Sequence, residues 1–85
     1  MSFFVYVLQD EKGSFYKGMT TDVMRRFREH ISGKTKTTKH MQGLKIVYTE
    51  EVLSRDTARK RELYLKSAAG RKFLKKKLSH TSLDD

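Results

Sequence analysis

Residues 3–8, Phe-Phe-Val-Tyr-Val-Leu, carry apolar or aromatic side chains on both faces of an extended chain. A β-branched, aromatic run of this kind has to be covered on both sides, so it reads as the central strand of a sheet. Asp10-Glu11-Lys12-Gly13 is turn chemistry. Residues 14–19 then read as a second strand that closes a hairpin with the first. Gly18 inside that strand invites a close backbone approach or a bulge. Thr20-Thr21-Asp22 offers a helix N-cap. Val23, Met24, Phe27 and Ile31 follow at helical spacing, and Gly33 ends the run. The polar, basic stretch 32–43 is a loop. Residues 44–53 alternate, with Leu44, Ile46 and Tyr48 on one side and Lys45, Val47 and Thr49 on the other, which predicts a third strand. Ser54 or Asp56 caps a second helix that runs to about Ser67. Gly70 is expected to break it, and Phe73, Leu74 and Leu78 mark a short third helix. The expected fold is α+β (α/β in the broad sense), a small, mostly antiparallel three-stranded sheet flanked by helices in the order ββαβαα. One domain is expected over 1–79, with a frayed tail at 80–85.

Eighty-five residues allow one small domain. Cysteine is absent, which excludes disulfides, thiolate zinc sites and cysteine nucleophiles. No apolar run approaches the roughly 18 residues of a membrane span. The start, Met1-Ser2-Phe3-Phe4, lacks the basic region of a signal peptide, so the cytoplasm is the simplest location. The chain holds 19 Lys and Arg against 10 Asp and Glu, a formal charge of +9. Residues 54–79 contribute most of the excess, with only Asp56 and Glu62 to offset it. A charge of this size points to a polyanionic partner, nucleic acid ahead of membrane.

Three features stand out against this background. On a helical wheel of about 100° per residue, Glu62 falls among Ala58, Leu65 and Ala69, inside the apolar stripe of the second helix. A carboxylate facing a core needs a partner, a proton or a metal. It is either salt-bridged to a basic neighbour or a ligand for a hard divalent cation. On the first helix, Arg26 and His30 lie one turn apart at the flank of the apolar side, while Arg25, Arg28 and Glu29 are expected to point outward. His30 is then either a satisfied core-edge histidine or part of a cleft. Tyr6 in the central strand and Tyr16 in its neighbour are either core aromatics with locally satisfied hydroxyls or two phenols aimed at one point.

With those residues in place, the chain resembles the GIY-YIG nuclease superfamily over about residues 3–78. Phe4-Val5-Tyr6 stands for the first triplet and Tyr16-Lys17-Gly18 for the second. Arg26 follows ten residues after Tyr16, His30 four later, and Glu62 falls on the later helix where the family places its metal-binding acid. The segments 36–40 and 44–48, with Arg61-Glu62 and 70–74, look like the small stand-alone bacterial members, which are similar to the nuclease domain of the excision-repair C subunit. The chain departs from the pattern at the first triplet, which keeps only its Tyr. It departs again at Lys17, which replaces an apolar residue, and at Met19, where the repair nuclease has Lys. A late Asn seen in some members has no counterpart.

The resemblance implies phosphodiester hydrolysis of DNA assisted by one Mg²⁺ or Mn²⁺, with low sequence specificity or direction by substrate structure, and DNA repair as a setting for it. It implies Glu62 as the metal ligand and Arg26 as the phosphate contact. Tyr6 would deprotonate or orient the attacking water, Tyr16 would assist, and His30 would support the base or hydrogen-bond a phosphate. Because a free Tyr has a pKa of about 10, the metal and Arg26 would have to lower that of Tyr6 for it to act as the base. Lys17, Lys34, Lys36, Lys39, Arg71 and Lys72 are the expected backbone-phosphate contacts, and RNA is not excluded as a partner. Two other readings stay open. One is a catalytically silent nucleic-acid-binding module on the same scaffold, and the other is a basic protein that docks on RNA or ribosomes.

Overall fold

The structure, a computed structural model, describes residues 2–82, with side chains as far as Leu78. The elements are β1 (Phe3–Gln9), β2 (Phe15–Thr20), α1 (Val23–Ile31), β3 (Lys45–Val52), α2 (Arg55–Lys66) and α3 (Ala68–Ser82). This is the expected ββαβαα order. The sheet order is β2-β1-β3, and both pairings are antiparallel. The two-sided apolar run therefore takes the centre, where Val5, Tyr6, Val7 and Leu8 are all buried.

Alternation along β1 divides the molecule into two unequal layers. Val5 and Val7 face α2 and α3 and build the core with Ala58, Leu65 and Leu74, ringed by Phe3, Phe15, Met19, Val52 and Phe73. Truncating Leu65 or Leu74 there would cost about 2–5 kcal/mol. Tyr6 and Leu8 face the other way, toward α1 and the loop at 32–44. The buried residues those segments supply are polar, His30 and Thr38. α2 is also tied to β3 by charge. Arg61 donates to Glu50 through Nε at 2.9 Å and Nη2 at 2.7 Å, and Tyr48 Oη donates to the same carboxylate at 2.6 Å.

Four local expectations are corrected. First, β3 does not alternate strictly. Val7 pairs with Tyr48 and Leu8 with Ile46, so Val47 is the extra residue of a bulge, and Val47 and Tyr48 both pack on the same core. Second, Gly70 is not the break between the last two helices. Ser67 makes the break with extended backbone, φ −79° and ψ 169°. Its hydroxyl donates to the Tyr64 carbonyl at 2.5 Å and accepts from the Gly70 N–H at 3.2 Å. Gly70 sits buried in the first turn of α3, where any Cβ would collide with the backbone of Tyr64 and Leu65. α3 has 15 residues and is the longest helix described, not a short one. Its backbone continues to Ser82, and 83–85 lie outside the described residues. Third, Ala69 falls beyond the break and is exposed. Fourth, Met24 and Ile31 are 54% and 60% exposed, whereas His30 is the buried residue of α1. The fully buried side chain of this helix is thus an imidazole, and Val23 and Phe27 are half-buried.

Candidate active site

The site is built on a pairing between an aromatic residue and a residue without a side chain. Tyr6 stands opposite Gly18 in the β1–β2 ladder, and its ring lies across that glycine. A Cβ at position 18 would sit 2.7 Å from the Tyr6 hydroxyl oxygen and 2.8 Å from Cζ. The close approach expected of Gly18 is thus made by a side chain. Tyr16, opposite Leu8, projects on the same face. The rings of Tyr6, Tyr16 and His30 form a cluster with centroids 6.2, 5.9 and 4.8 Å apart.

α1 delivers the next groups. The Asp22 side chain caps it by accepting from the Arg25 N–H at 3.1 Å. It ends in paired bonds from Gly33 N–H to the His30 carbonyl and from Lys34 N–H to the Glu29 carbonyl. Between these ends the helix holds His30 with Nε2 2.8 Å from Tyr6 Oη and Nδ1 2.7 Å from Thr38 Oγ1. One turn earlier, Arg26 Nη1 bonds Glu29 Oε1 at 2.7 Å, and Arg25 holds the other carboxylate oxygen at 3.3 Å. Arg25 and Glu29, expected to face outward, line the cavity instead.

α2, capped by the Ser54 hydroxyl on Thr57 N–H, brings Glu62. This carboxylate is 7% exposed and paired on both oxygens, with Arg59 Nη1 at 3.2 Å and Lys66 Nζ at 3.2 Å. The salt-bridge reading of Glu62 therefore holds, and a cavity lies beside it as well. A groove of about 500 Å³ is lined by Tyr6, Tyr16, Arg26 and Glu62 together with Arg25, Glu29, Arg55, Arg59 and the β2 residues Gly18 to Thr20. Four arginines face two carboxylates, so the groove favours an anion. His30 does not line it but stands behind Tyr6, 1% exposed.

Burial, reinforced by the neighbouring Tyr16, pushes the Tyr6 phenol well above the ordinary tyrosine range, and the opposing pull of Arg26 is smaller. The protein groups alone therefore do not supply the lowering that a basic Tyr6 would need, and they hold it as a protonated phenol at neutral pH. Burial, then Arg26, lowers the His30 pKa against the pull of Glu29, which leaves a neutral imidazole next to that phenol.

Among the described residues, no group of three or more His, Cys, Asp or Glu is placed to hold a metal. Glu62 offers one shielded carboxylate at the edge of an open groove. That donor set does not fit an all-protein cage. It fits a small hard cation that keeps most of its waters and is completed by a phosphate oxygen.

The expected phosphate contacts lie elsewhere. Lys34, Lys36 and Lys39 are exposed on the loop after α1. Lys17 rests over the Phe15 ring at 5.5 Å on the α2–α3 side, its amine made less basic by burial and by Arg71 and Lys66. Arg71 donates to the Lys66 carbonyl at 2.9 Å, and Lys72 is exposed. None of these six lines the groove. Sequence reasoning passed over Arg55, Arg59 and Thr38. Arg59 and Lys66 bracket Glu62 at i−3 and i+4, a spacing that signals the ion pairs directly. Nothing local marks Thr38, because its burial follows from the loop's tertiary position.

A family model described as the GIY-YIG catalytic domain matches residues 2–77. A UPF0213 protein of Halalkalibacterium halodurans is 38% identical over 73 residues, covering 85% of this chain and 78% of the relative. A UPF0213 protein of Listeria innocua is 42% identical over 64 residues, covering 74% and 71%. The solution NMR structure of a UPF0213 protein from Bacillus halodurans is similar with a TM-score of 0.54 and 36% identity, covering 87% of this chain and 82% of that one. Among the described residues no helix is long and apolar enough to cross a membrane.

Proposed function

The chain belongs to the GIY-YIG catalytic-domain family, whose domains are nucleases that generally use a divalent metal ion, and from that premise we propose that it is a metal-dependent DNA endonuclease acting in the cytoplasm. Its cutting is directed by substrate structure or tolerant of sequence, as repair of DNA requires. The observation that carries this reading is the groove that gathers two phenols, a guanidinium and a nearly buried carboxylate from four separate elements.

Arg26 and Arg25 are placed to seat the scissile phosphate and offset the charge that grows on it. Glu29 fixes both guanidinium groups against one another, so their donors are oriented before substrate arrives. Glu62 is the residue that would hold Mg²⁺ or Mn²⁺, with Arg59 and Lys66 fixing its carboxylate in place. The ion, when bound, supplies Lewis-acid stabilisation of the phosphate and the leaving oxygen. Tyr6 orients the attacking water. Because its phenol is protonated, Tyr6 takes the water's proton only as it hands its own to His30 Nε2, 2.8 Å away. The hydroxide adds to phosphorus, the P–O bond to the leaving oxygen breaks, and that oxygen takes a proton from solvent. His30 then hands the extra proton back to Tyr6, which lines the groove and releases one to its water, so one water is added across one phosphodiester. Tyr16, packed on both Tyr6 and His30, keeps this pair dry.

Incubating supercoiled and branched DNA with the protein, in Mg²⁺, in Mn²⁺ and in chelator, tests the proposal. Nicking that needs the ion and disappears in Glu62→Ala and Arg26→Ala is expected. One observation favours a second reading, since both Glu62 oxygens are already held by cations. If DNA is bound but not cut at any ion concentration, the protein is a silent binding module and the nuclease proposal fails. A preference for RNA in competition would move the substrate class.

A further inference from the structure

The hydrogen bonds that begin at Tyr6 do not stop at His30. They run on into a loop residue that the chemistry above leaves unused. We propose that Thr38 is a positioning residue for the reaction: its hydroxyl accepts the Nδ1 proton of His30 and so keeps Nε2 free to receive the proton of Tyr6. The inference rests on the nuclease reading of the groove and assigns it one more working residue.

All three members of the chain are shut away from solvent. Tyr6 and His30 are 1% exposed and Thr38 is 0% exposed, so water does not substitute for any of them. A neutral imidazole has one N–H donor and one bare nitrogen. Two arrangements are therefore open. In one, Nδ1–H donates to Thr38 and Nε2 accepts from Tyr6. In the other, Thr38 donates to Nδ1 and Nε2–H donates to Tyr6. Arg26, which can only donate, lines the groove with Tyr6 and pulls on its phenol as a cation. An N–H from His30 would put another donor on that oxygen and leave the phenolic proton without the imidazole as its acceptor. The first arrangement gives the phenolic proton an acceptor and both imidazole nitrogens a partner.

Thr38 is itself fixed. Its N–H donates to the Thr35 carbonyl at 3.2 Å, and its carbonyl accepts from the Met41 N–H at 2.9 Å. The loop is thus folded around this residue, and Thr38 presents its hydroxyl 2.7 Å from the imidazole. When His30 takes the proton from Tyr6, the resulting imidazolium donates at both nitrogens. A hydroxyl oxygen at Nδ1 accommodates both the neutral and the charged ring without moving.

The test is the tautomer of His30 in the intact protein, read from ¹⁵N shifts and proton couplings of labelled histidine. His30→Gln identifies the signal against His40 and His80. The wild type is expected to carry its proton on Nδ1 and none on Nε2. Thr38→Ser is expected to keep that pattern, and Thr38→Val to shift His30 toward the Nε2–H form. In single-turnover cleavage Thr38→Val is expected to lower the rate roughly 10- to 100-fold with KM unchanged, and Thr38→Ser to restore it. An Nε2–H tautomer in the wild type overturns the proposal, as does a Thr38→Val protein with tautomer and rate both unchanged. Should Thr38→Val not fold, the wild-type spectrum and Thr38→Ser still decide. If the wild type proves unable to cut DNA, the nuclease reading is lost, while the spectrum alone judges the hydrogen-bond assignment.

Discussion

Tyr6 owes its position to Gly18. Any side chain at 18 would overlap the phenol, so Gly18→Ala must push the ring off its strand and away from His30. The expected outcome is a loss of about 1–3 kcal/mol in denaturant unfolding together with loss of cleavage, and Tyr6→Phe, which keeps the ring but leaves the buried His30 Nε2 unpaired, is expected to lose cleavage at a cost of about 1–3 kcal/mol. Equal activity in Gly18→Ala and wild type would mean that the ring position is irrelevant. At this scale the sequence was informative wherever one helix or strand decided the matter. Glu62 betrayed itself by standing in an apolar stripe, and Tyr6 and Tyr16 by sharing a sheet face with Gly18. The helical wheel put His30 at the edge of the core, but its bonds to Tyr6 and Thr38 were not legible, because each partner is another segment of the chain and no local periodicity encodes such a pairing.

At the scale of elements, the tie between α2 and β3 carries a measurable pH signature. Arg61 holds the Glu50 carboxyl below the usual carboxylate range, with burial opposing it, while burial and that same carboxylate push the Tyr48 phenol up to about 12. A depressed carboxyl stabilises the fold above its unfolded value of about 4.3, and the contribution is lost as pH falls through the lower folded value. Both partners are partly exposed, so about 1 kcal/mol is expected after screening. Urea unfolding should therefore show Glu50→Gln less stable than wild type at pH 7, with the gap closing as pH drops below about 4. A gap that does not change with pH contradicts the assignment. The central place of β1 and the hairpin were readable from the two-sided apolar run and its turn. The α2–α3 break was misplaced at Gly70 because glycine usually ends helices, and here it is used for close packing. Gly70→Ala is accordingly expected to destabilise by more than the fraction of a kcal/mol that helix propensity would return, as followed by thermal unfolding.

Over the whole molecule, charge and shape set what the site meets. The protein measures 38 × 27 × 21 Å, close in length to one turn of duplex DNA at about 34–36 Å. With a net charge of +9, binding should be salt-sensitive and nearly indifferent to sequence. Replacing Lys34, Lys36 and Lys39 by Ala should lower the slope of log K against log salt by roughly 0.9 for each phosphate that these lysines neutralise, measured by fluorescence anisotropy. An unchanged slope would remove that loop from the interface. Net charge was visible from the sequence, but its division was not: the groove collects Arg25, Arg26, Arg55 and Arg59, and none of the expected lysines lines it. The measurement that bears most directly on the account is single-turnover DNA cleavage by Glu62→Gln against wild type across a Mn²⁺ titration, with DNA affinity measured in parallel. The account predicts metal-dependent cutting by the wild type, a rate reduced by roughly 10²-fold or more in Glu62→Gln, and affinity unchanged within a few-fold. Cutting by Glu62→Gln at the wild-type rate, or by the wild type with all metal removed, would contradict it.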